Sequence, residues 1–328
     1  PLRLGDALSR VALGAAPGQT TIGDSTTVLL YKHIRAALAL RPGRDELVVH
    51  HDDFPTDRYV LEGIAAETGS TLRWLEPGDI TAEGIAAALG DRTALVVLSA
   101  VAYRSGALAD VPGITRLVHD AGALMLWDLC HAAGVIPLQL DAWDVDLAVG
   151  CGYKYLNGGP GAPAFAYVAA RLLGEYRQPI QGWIGSAAPF EMGQGYEPGA
   201  GIRRVLSGTP PILGMATLGP AIELIGEAGV DAIRAKSVAL TEHAVALVDE
   251  LLPGAVLSSP RDPERRGSHI TIDHPDFERI MPILWERGVI PDFRRPTGIR
   301  LGLSPLSTGF AEVEDGVRAI AAALAGGA

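Results

Sequence analysis

The stretch Ala123-Leu124-Met125-Leu126-Trp127-Asp128-Leu129-Cys130-His131 decides the fold when set beside Asp146-Leu147-Ala148-Val149-Gly150-Cys151-Gly152-Tyr153-Lys154-Tyr155. Each contains an apolar run of strand length that a polar or ionisable side chain closely follows. Runs apolar on both faces are what strands inside a parallel sheet require. Similar runs occupy 46–50, 71–75, 94–98 and 164–168. Between them, apolar residues at helical spacing predict helices over 57–68, 81–89 and 110–121. Pro112 sits just inside the start of the third, and Gly69 and Gly122 stand just past two of the ends. Alternating strands and helices predict an α/β fold, a mainly parallel sheet with helices on both faces. Ligands on such sheets bind beyond the carboxyl ends of the strands, which is where Asp128 and Lys154 fall.

The two residues are 26 positions apart. A lysine amine just past one buried strand can form a Schiff base with an aldehyde. A carboxylate at the end of another can keep a pyridine nitrogen protonated. Pyridoxal 5'-phosphate (PLP) chemistry needs that pair, whereas a dinucleotide or metal enzyme does not. The glycine-rich run Gly152-Tyr153-Lys154-Tyr155-Leu156-Asn157-Gly158-Gly159-Pro160-Gly161 lets backbone approach a ligand closely. His131 follows Asp128 by three, so one helical turn would put both on the same face. Spacing alone also fits an ordinary strand-end carboxylate and a solvated surface lysine.

The bulk numbers narrow the class. A chain of 328 residues and 34.3 kDa can bury a large core, and the pattern predicts two unequal domains. We expect a large cofactor-binding α/β domain over 1–225 and a smaller α+β domain over 226–328. A net charge of −11 and pI near 5.2 argue against nucleic-acid or anionic-membrane partners. A mean hydropathy of +0.21 suits a protein that hides surface in an oligomer. Cys130 and Cys151 give no disulfide framework and read as small buried residues in a reducing cytoplasm. No run of transmembrane length, no signal-peptide pattern and no metal-ligand spacing stands out. The chain opens Pro1-Leu2-Arg3 without an initiator Met, which we read as a trimmed, processed or fragmentary form. Residues 178–211, rich in Gly, Pro and aromatics, predict a long functional loop. Helical pattern resumes over 212–252, followed by strands at 269–272 and 299–303 and helices at 276–287 and 312–324.

Seven blocks in order carry a family resemblance. They are Asp24-Ser25-Thr26-Thr27-Val28 with Leu30-Tyr31-Lys32; Phe54-Pro55-Thr56-Asp57-Arg58-Tyr59-Val60; Asp128-Leu129-Cys130-His131-Ala132-Ala133-Gly134; Gly150 through Pro163; Gln178-Pro179-Ile180-Gln181-Gly182-Trp183; Gly208-Thr209-Pro210-Pro211; and Gly298-Ile299-Arg300. Together they resemble kynureninase, a fold-type I PLP enzyme of the class V aminotransferase-like superfamily, over nearly the whole chain. The resemblance implies hydrolysis of L-kynurenine, or 3-hydroxykynurenine, to anthranilate, or 3-hydroxyanthranilate, and L-alanine, in tryptophan catabolism.

It also implies roles. Lys154 would bind the cofactor and then remove the α-proton, and Asp128 would pair with the pyridinium. Phe54 would stack on the ring. Thr26, Thr27 and Ser99 would contact phosphate or ring, and Asp57 and His131 would position the cofactor's polar groups. Tyr153 would contact phosphate and shuttle a proton. Trp183 and Thr209 would reach a neighbouring subunit's phosphate, which implies a homodimer with shared sites. Arg300 would clamp the substrate carboxylate bidentately. On bland readings, Phe54 and Trp183 are packing residues, Thr27 caps a helix, Tyr31 and Lys32 lie on a helix surface, and Arg300 forms a structural ion pair.

The family pattern is broken at Leu29, Ser186 and Ser307, where Asn, His and Tyr are usual. It also lacks a Gly-Asn-Ser-Leu-Gly stretch that family members carry further toward the N-terminus. These departures keep two alternatives open: another PLP reaction on the same scaffold, such as a Cβ lyase, desulfurase or aminotransferase, or a shortened paralogue without turnover.

Overall fold

The computed structural model describes residues 1–78 and 80–326. Chain contacts divide it into two compact units. One comprises Pro1–Ala100 and Ala109–Gly229; the other comprises Val101–Leu108 and the chain from Val230 onward.

The first unit is built on seven strands: β1 (Thr20–Ile22), β2 (Glu46–His50), β3 (Thr71–Leu75), β4 (Thr93–Ser99), β5 (Leu124–Asp128), β6 (Leu147–Cys151) and β7 (Ala164–Val168). Their order in the sheet is β1-β7-β6-β5-β4-β2-β3. The five from β6 to β3 run parallel, while β7 and β1 add antiparallel at one edge. The helices are α1 (Leu2–Leu8), α2 (Thr26–Leu40), α3 (Pro55–Thr68), α4 (Ala82–Ala88), α5 (Val111–Asp120) and α6 (Ile212–Ala228). Leu29, Leu30 and Ile34 of α2 and Leu61 and Ile64 of α3 share one core with the apolar side chains of β2, β4, β5 and β6. That cover explains why the central strands show no polar alternation. Edge strand β3 does alternate in burial.

Local chemistry sets the helix ends. Ser25 caps α2, its hydroxyl accepting from Val28 N, so Thr27 is not the cap. Thr81 and Asp110 cap α4 and α5 in the same way. Gly69 ends α3 at φ +74°, a left-handed conformation that glycine adopts without strain.

The helix-surface reading fails for Lys32, which is fully buried. Its ammonium lies 2.5 Å from Asp24 Oδ2 and 2.9 Å from the Val205 carbonyl oxygen. A buried ammonium is tolerated when a carboxylate and a carbonyl replace water. The neighbouring His33 is also fully buried, with Nδ1 2.8 Å from the Tyr176 hydroxyl. Desolvation pulls its pKa down to about 3, so it stays neutral. Asp141 fastens the N-terminal segment, accepting from Ala16 N at 2.7 Å, from Gln19 Nε2 at 2.9 Å and from the Tyr167 hydroxyl at 2.9 Å.

The second unit holds α7 (Val230–Leu251), β8 (Val256–Leu257), β9 (His269–Asp273), α8 (Phe277–Glu286), β10 (Asp292–Arg294), β11 (Gly298–Gly302) and α9 (Phe310–Leu324). Its four strands form an antiparallel sheet ordered β10-β11-β9-β8. Leu240, Phe277, Ile280 and Val317 of the helices pack with Ile270, Ile272 and Ile299 of the strands. Among the described residues, no helix is long and apolar enough to cross a membrane.

Candidate active site

Asp128 is the last residue of β5, and in the parallel register it stands beside Ser99 of β4 and Val149 of β6. Past these strand ends lies a cavity of about 390 Å³. Its wall contains Thr26, Thr27, Phe54, Asp57, Asp128, Tyr153 and Lys154. These residues come from four separate stretches of chain, which the fold brings to one cavity.

Lys154 rides on the loop from β6 to β7. That loop folds back on itself: Gly152 N donates to Pro163 O at 3.0 Å, Asn157 N to Lys154 O at 2.9 Å and Gly158 N to Gly152 O at 2.9 Å. A Cβ on Gly152 would lie 2.5 Å from Pro163 O, so only glycine lets the loop close this tightly. Lys154 Nζ is 5.7 Å from the Phe54 ring centroid and 6.0 Å from that of Tyr153.

Three carboxyl groups crowd behind the cavity. Asp128 Oδ1 accepts from Cys130 N at 2.7 Å. Asp57 is 1 % exposed, and burial, then the negative Asp128 and Asp53, hold its pKa well above the ordinary value despite Lys154. Asp57 Oδ2 has no hydrogen-bond partner. Asp53 accepts from Ser99 N at 3.2 Å, and burial pushes its pKa up to about 7. Sequence reading missed Asp53; its only signal is an acidic residue directly preceding Phe54.

Opposite them, the first turn of α2 brings Ser25, Thr26 and Thr27 to the wall. A helix start offers free N–H groups and hydroxyls to an anion. Asp24, at φ +51°, turns the chain into that helix and is held by Lys32. Tyr153 has a half-exposed ring, and partial burial of its hydroxyl beside Cys151 and Cys130 raises the phenol pKa, so it remains a proton donor.

The other expected site residues lie outside the lining of this cavity. Ser99 stands one strand over, beside Asp128, and His131 is buried in the turn that follows β5. Trp183 is 41 % exposed, stacks edge-on with Phe190 at 5.8 Å and lines a separate hollow formed by residues 183–197. Thr209 is exposed. Arg300 belongs to the second unit, where its guanidinium meets Asp292 Oδ2, Nε at 3.2 Å, and donates to Tyr103 O at 2.7 Å. Leu29, a family departure, points into the core at 1 % exposure.

The residues present fit pyridoxal phosphate. An amine faces the cavity beside an aromatic ring, a buried carboxylate is available for a ring nitrogen, and a helix start is available for the phosphate. When bound, that cofactor supplies an electron sink for the substrate α-carbon.

Comparison with known proteins agrees. Residues 233–320 match the family model for the kynureninase C-terminal domain. A protein named kynureninase from Burkholderia pseudomallei (strain 1106a) is 41% identical over 329 residues, spanning 98% of this chain and 78% of the relative. Kynureninase of Pseudomonas fluorescens is 38% identical, spanning 96% of this chain and 77% of its own length. Among solved structures, the cysteine desulfurase of Thermococcus onnurineus superposes with TM-score 0.84 at 18% identity, covering 99% of this chain and 83% of that one. A C-DES mutant carrying glycine covalently linked to its PLP cofactor superposes at 0.86 with 20% identity, covering 98% and 84%. These structural neighbours establish the fold as fold-type I of the PLP-dependent enzymes. With two-fifths of its residues shared over almost its full length, the chain belongs to the kynureninase family.

Proposed function

We propose that the protein hydrolyses the Cβ–Cγ bond of L-kynurenine to anthranilate and L-alanine, as a step of tryptophan catabolism, with 3-hydroxykynurenine giving 3-hydroxyanthranilate by the same chemistry. The observation that carries this reading is the convergence of Lys154, Asp128 and the start of α2 on one cavity in a chain of this family.

The side chains divide the work. Lys154 would hold the cofactor through its amine and would supply the base for the substrate α-proton. Asp128, held by Cys130 N, would pair with the ring nitrogen of the cofactor. Phe54 offers a flat apolar face, a contact worth about 0.5–1.5 kcal/mol beyond burial. Tyr153 donates its proton to the departing fragment. Thr26 and Thr27 hold the phosphate, with Ser99 and His131 supporting the cofactor from behind the wall.

The substrate-carboxylate role of Arg300 rests on the family resemblance; within its own unit the guanidinium pairs with Asp292.

We place the protein in the cytoplasm as a homodimer. Exposed apolar side chains at Phe190, Met192, Ile212 and Leu213 support the second assignment. Trp183 and Thr209, which are not among the residues lining their own subunit's cavity, would serve the partner's phosphate.

The test is to load the purified protein with PLP, add L-kynurenine, and follow anthranilate fluorescence. We expect anthranilate and alanine in equal amounts, with Lys154→Ala abolishing both turnover and the absorbance of lysine-bound cofactor. Lysine-bound cofactor without anthranilate or alanine would reject the reaction while keeping the cofactor.

A further inference from the structure

Both cysteines of the protein, Cys130 and Cys151, stand in the wall of the Lys154 cavity. β5 and β6 run parallel with Asp128 beside Val149; Cys130 lies two residues past the end of β5, and Cys151 is the last residue of β6. The two thiols hydrogen-bond each other, and Cys151 Sγ is 3.9 Å from the Cys130 carbonyl oxygen. Cys130 Sγ is also 3.7 Å from Thr26 Oγ1. One sulfur therefore touches the first turn of α2, and the other begins the loop that carries Lys154.

The pair is asymmetric. The hydrogen bond from Cys130, followed by the nearby Lys154, lowers the pKa of the Cys151 thiol. The same hydrogen bond, with burial, raises that of Cys130. Both are under a tenth exposed, and the cavity is their route to solvent. That route suits a small oxidant such as hydrogen peroxide.

We propose that Cys130 and Cys151 form a peroxide-responsive dithiol in the cavity wall, closing to an intramolecular disulfide that loosens cofactor binding. Cys151 sulfur attacks one peroxide oxygen, the O–O bond breaks, and the leaving hydroxide takes a proton to become water. Cys130 sulfur then displaces the hydroxyl of the resulting sulfenic acid, releasing a second water as the S–S bond forms. Two thiols lose two electrons and two protons, and the peroxide is reduced to two waters. A thiol reductant reverses the bond. Closure draws Cys130 Sγ away from Thr26 and fixes the start of the Lys154 loop. The effect on the cofactor rests on the reading of the cavity as a PLP site; the disulfide itself does not.

The test treats the PLP-loaded protein with hydrogen peroxide, quenches in acid and digests with trypsin. No Lys or Arg lies between Arg116 and Lys154, so both cysteines travel on one peptide, residues 117–154. We expect that peptide to be lighter by two hydrogens, with both thiols protected from iodoacetamide until dithiothreitol is added. The absorbance of lysine-bound cofactor should fall in step. In Cys130→Ala, dimedone should instead trap a sulfenic acid on Cys151. Thiols that stay open to alkylation at a peroxide dose that oxidises the exposed Met192 would overturn the proposal. A disulfide that leaves cofactor absorbance unchanged would overturn the regulatory half. Absence of lysine-bound absorbance before any peroxide would tell against the cofactor reading instead.

Discussion

At the scale of single residues, the carboxyl cluster gives two predictions. Asp128→Ala removes the carboxylate we assign to the cofactor's ring nitrogen, and steady-state assays should show kcat/KM lower by on the order of 100–1000-fold. Asp53 has a pKa of about 7 in the fold against 3.8 for an ordinary aspartate. Between those values the native state binds more protons than the unfolded chain, so this group makes stability fall as pH rises through the window. Asp53→Asn removes the titration, and its urea midpoint should change less between about pH 5 and pH 8 than that of the parent protein. Equal slopes for the two proteins would place the titration elsewhere. Asp128 stood out because it closes a recognisable strand and Lys154 because it follows one by three residues, whereas Asp53 did not. Its environment comes from Asp57, Asp128 and the Ser99 backbone, drawn together only by folding.

At the scale of elements, strands β2, β3 and β7 were legible to the residue, since fully apolar or regularly spaced runs between turn residues leave little choice. Helix α2 was harder to read. Its buried face carries Lys32 and His33, which break the apolar periodicity; Asp24 lies just ahead of the helix, but Val205 and Tyr176 come from other stretches of chain. β1 is three residues long and exists only because β7 offers an edge. The Lys32–Asp24 pair fixes the entry of α2. Lys32→Met should cost about 2 kcal/mol in urea denaturation, a modest figure because the Asp24 side chain is 32% exposed and can turn to water. It should also weaken PLP binding, measured by titration of the apoprotein. Unchanged PLP affinity with the same stability loss would separate the pair from the phosphate.

At the scale of the whole molecule, the proposed dimer makes a complementation experiment informative. One subunit with Lys154→Ala and a partner with Trp183→Ala would together contain one intact shared site. Refolding the two variants as a mixture should give activity above the average of the pure variants, assayed by anthranilate release. Activity equal to that average would place Trp183 outside the neighbour's site. The shared arrangement is proposed from the family resemblance alone, because composition and periodicity carry no record of which subunit a loop serves.

The edges of the seven-stranded sheet differ in a way that matters during synthesis and purification. β7 is buried at all five positions and would present an apolar, unpaired backbone if β1 were removed. At the opposite edge, β3 is polar at alternate positions and carries Arg73, which reaches Glu46 at 3.2 Å. A charged edge of that kind resists adding strands from other chains, whereas a bare apolar one recruits them. The Asp141 clasp on residues 16 and 19 therefore acts as a guard against aggregation. Loosening it, by Asp141→Ala or by proteolysis near residue 18, should turn a soluble protein into one that assembles through its own sheet.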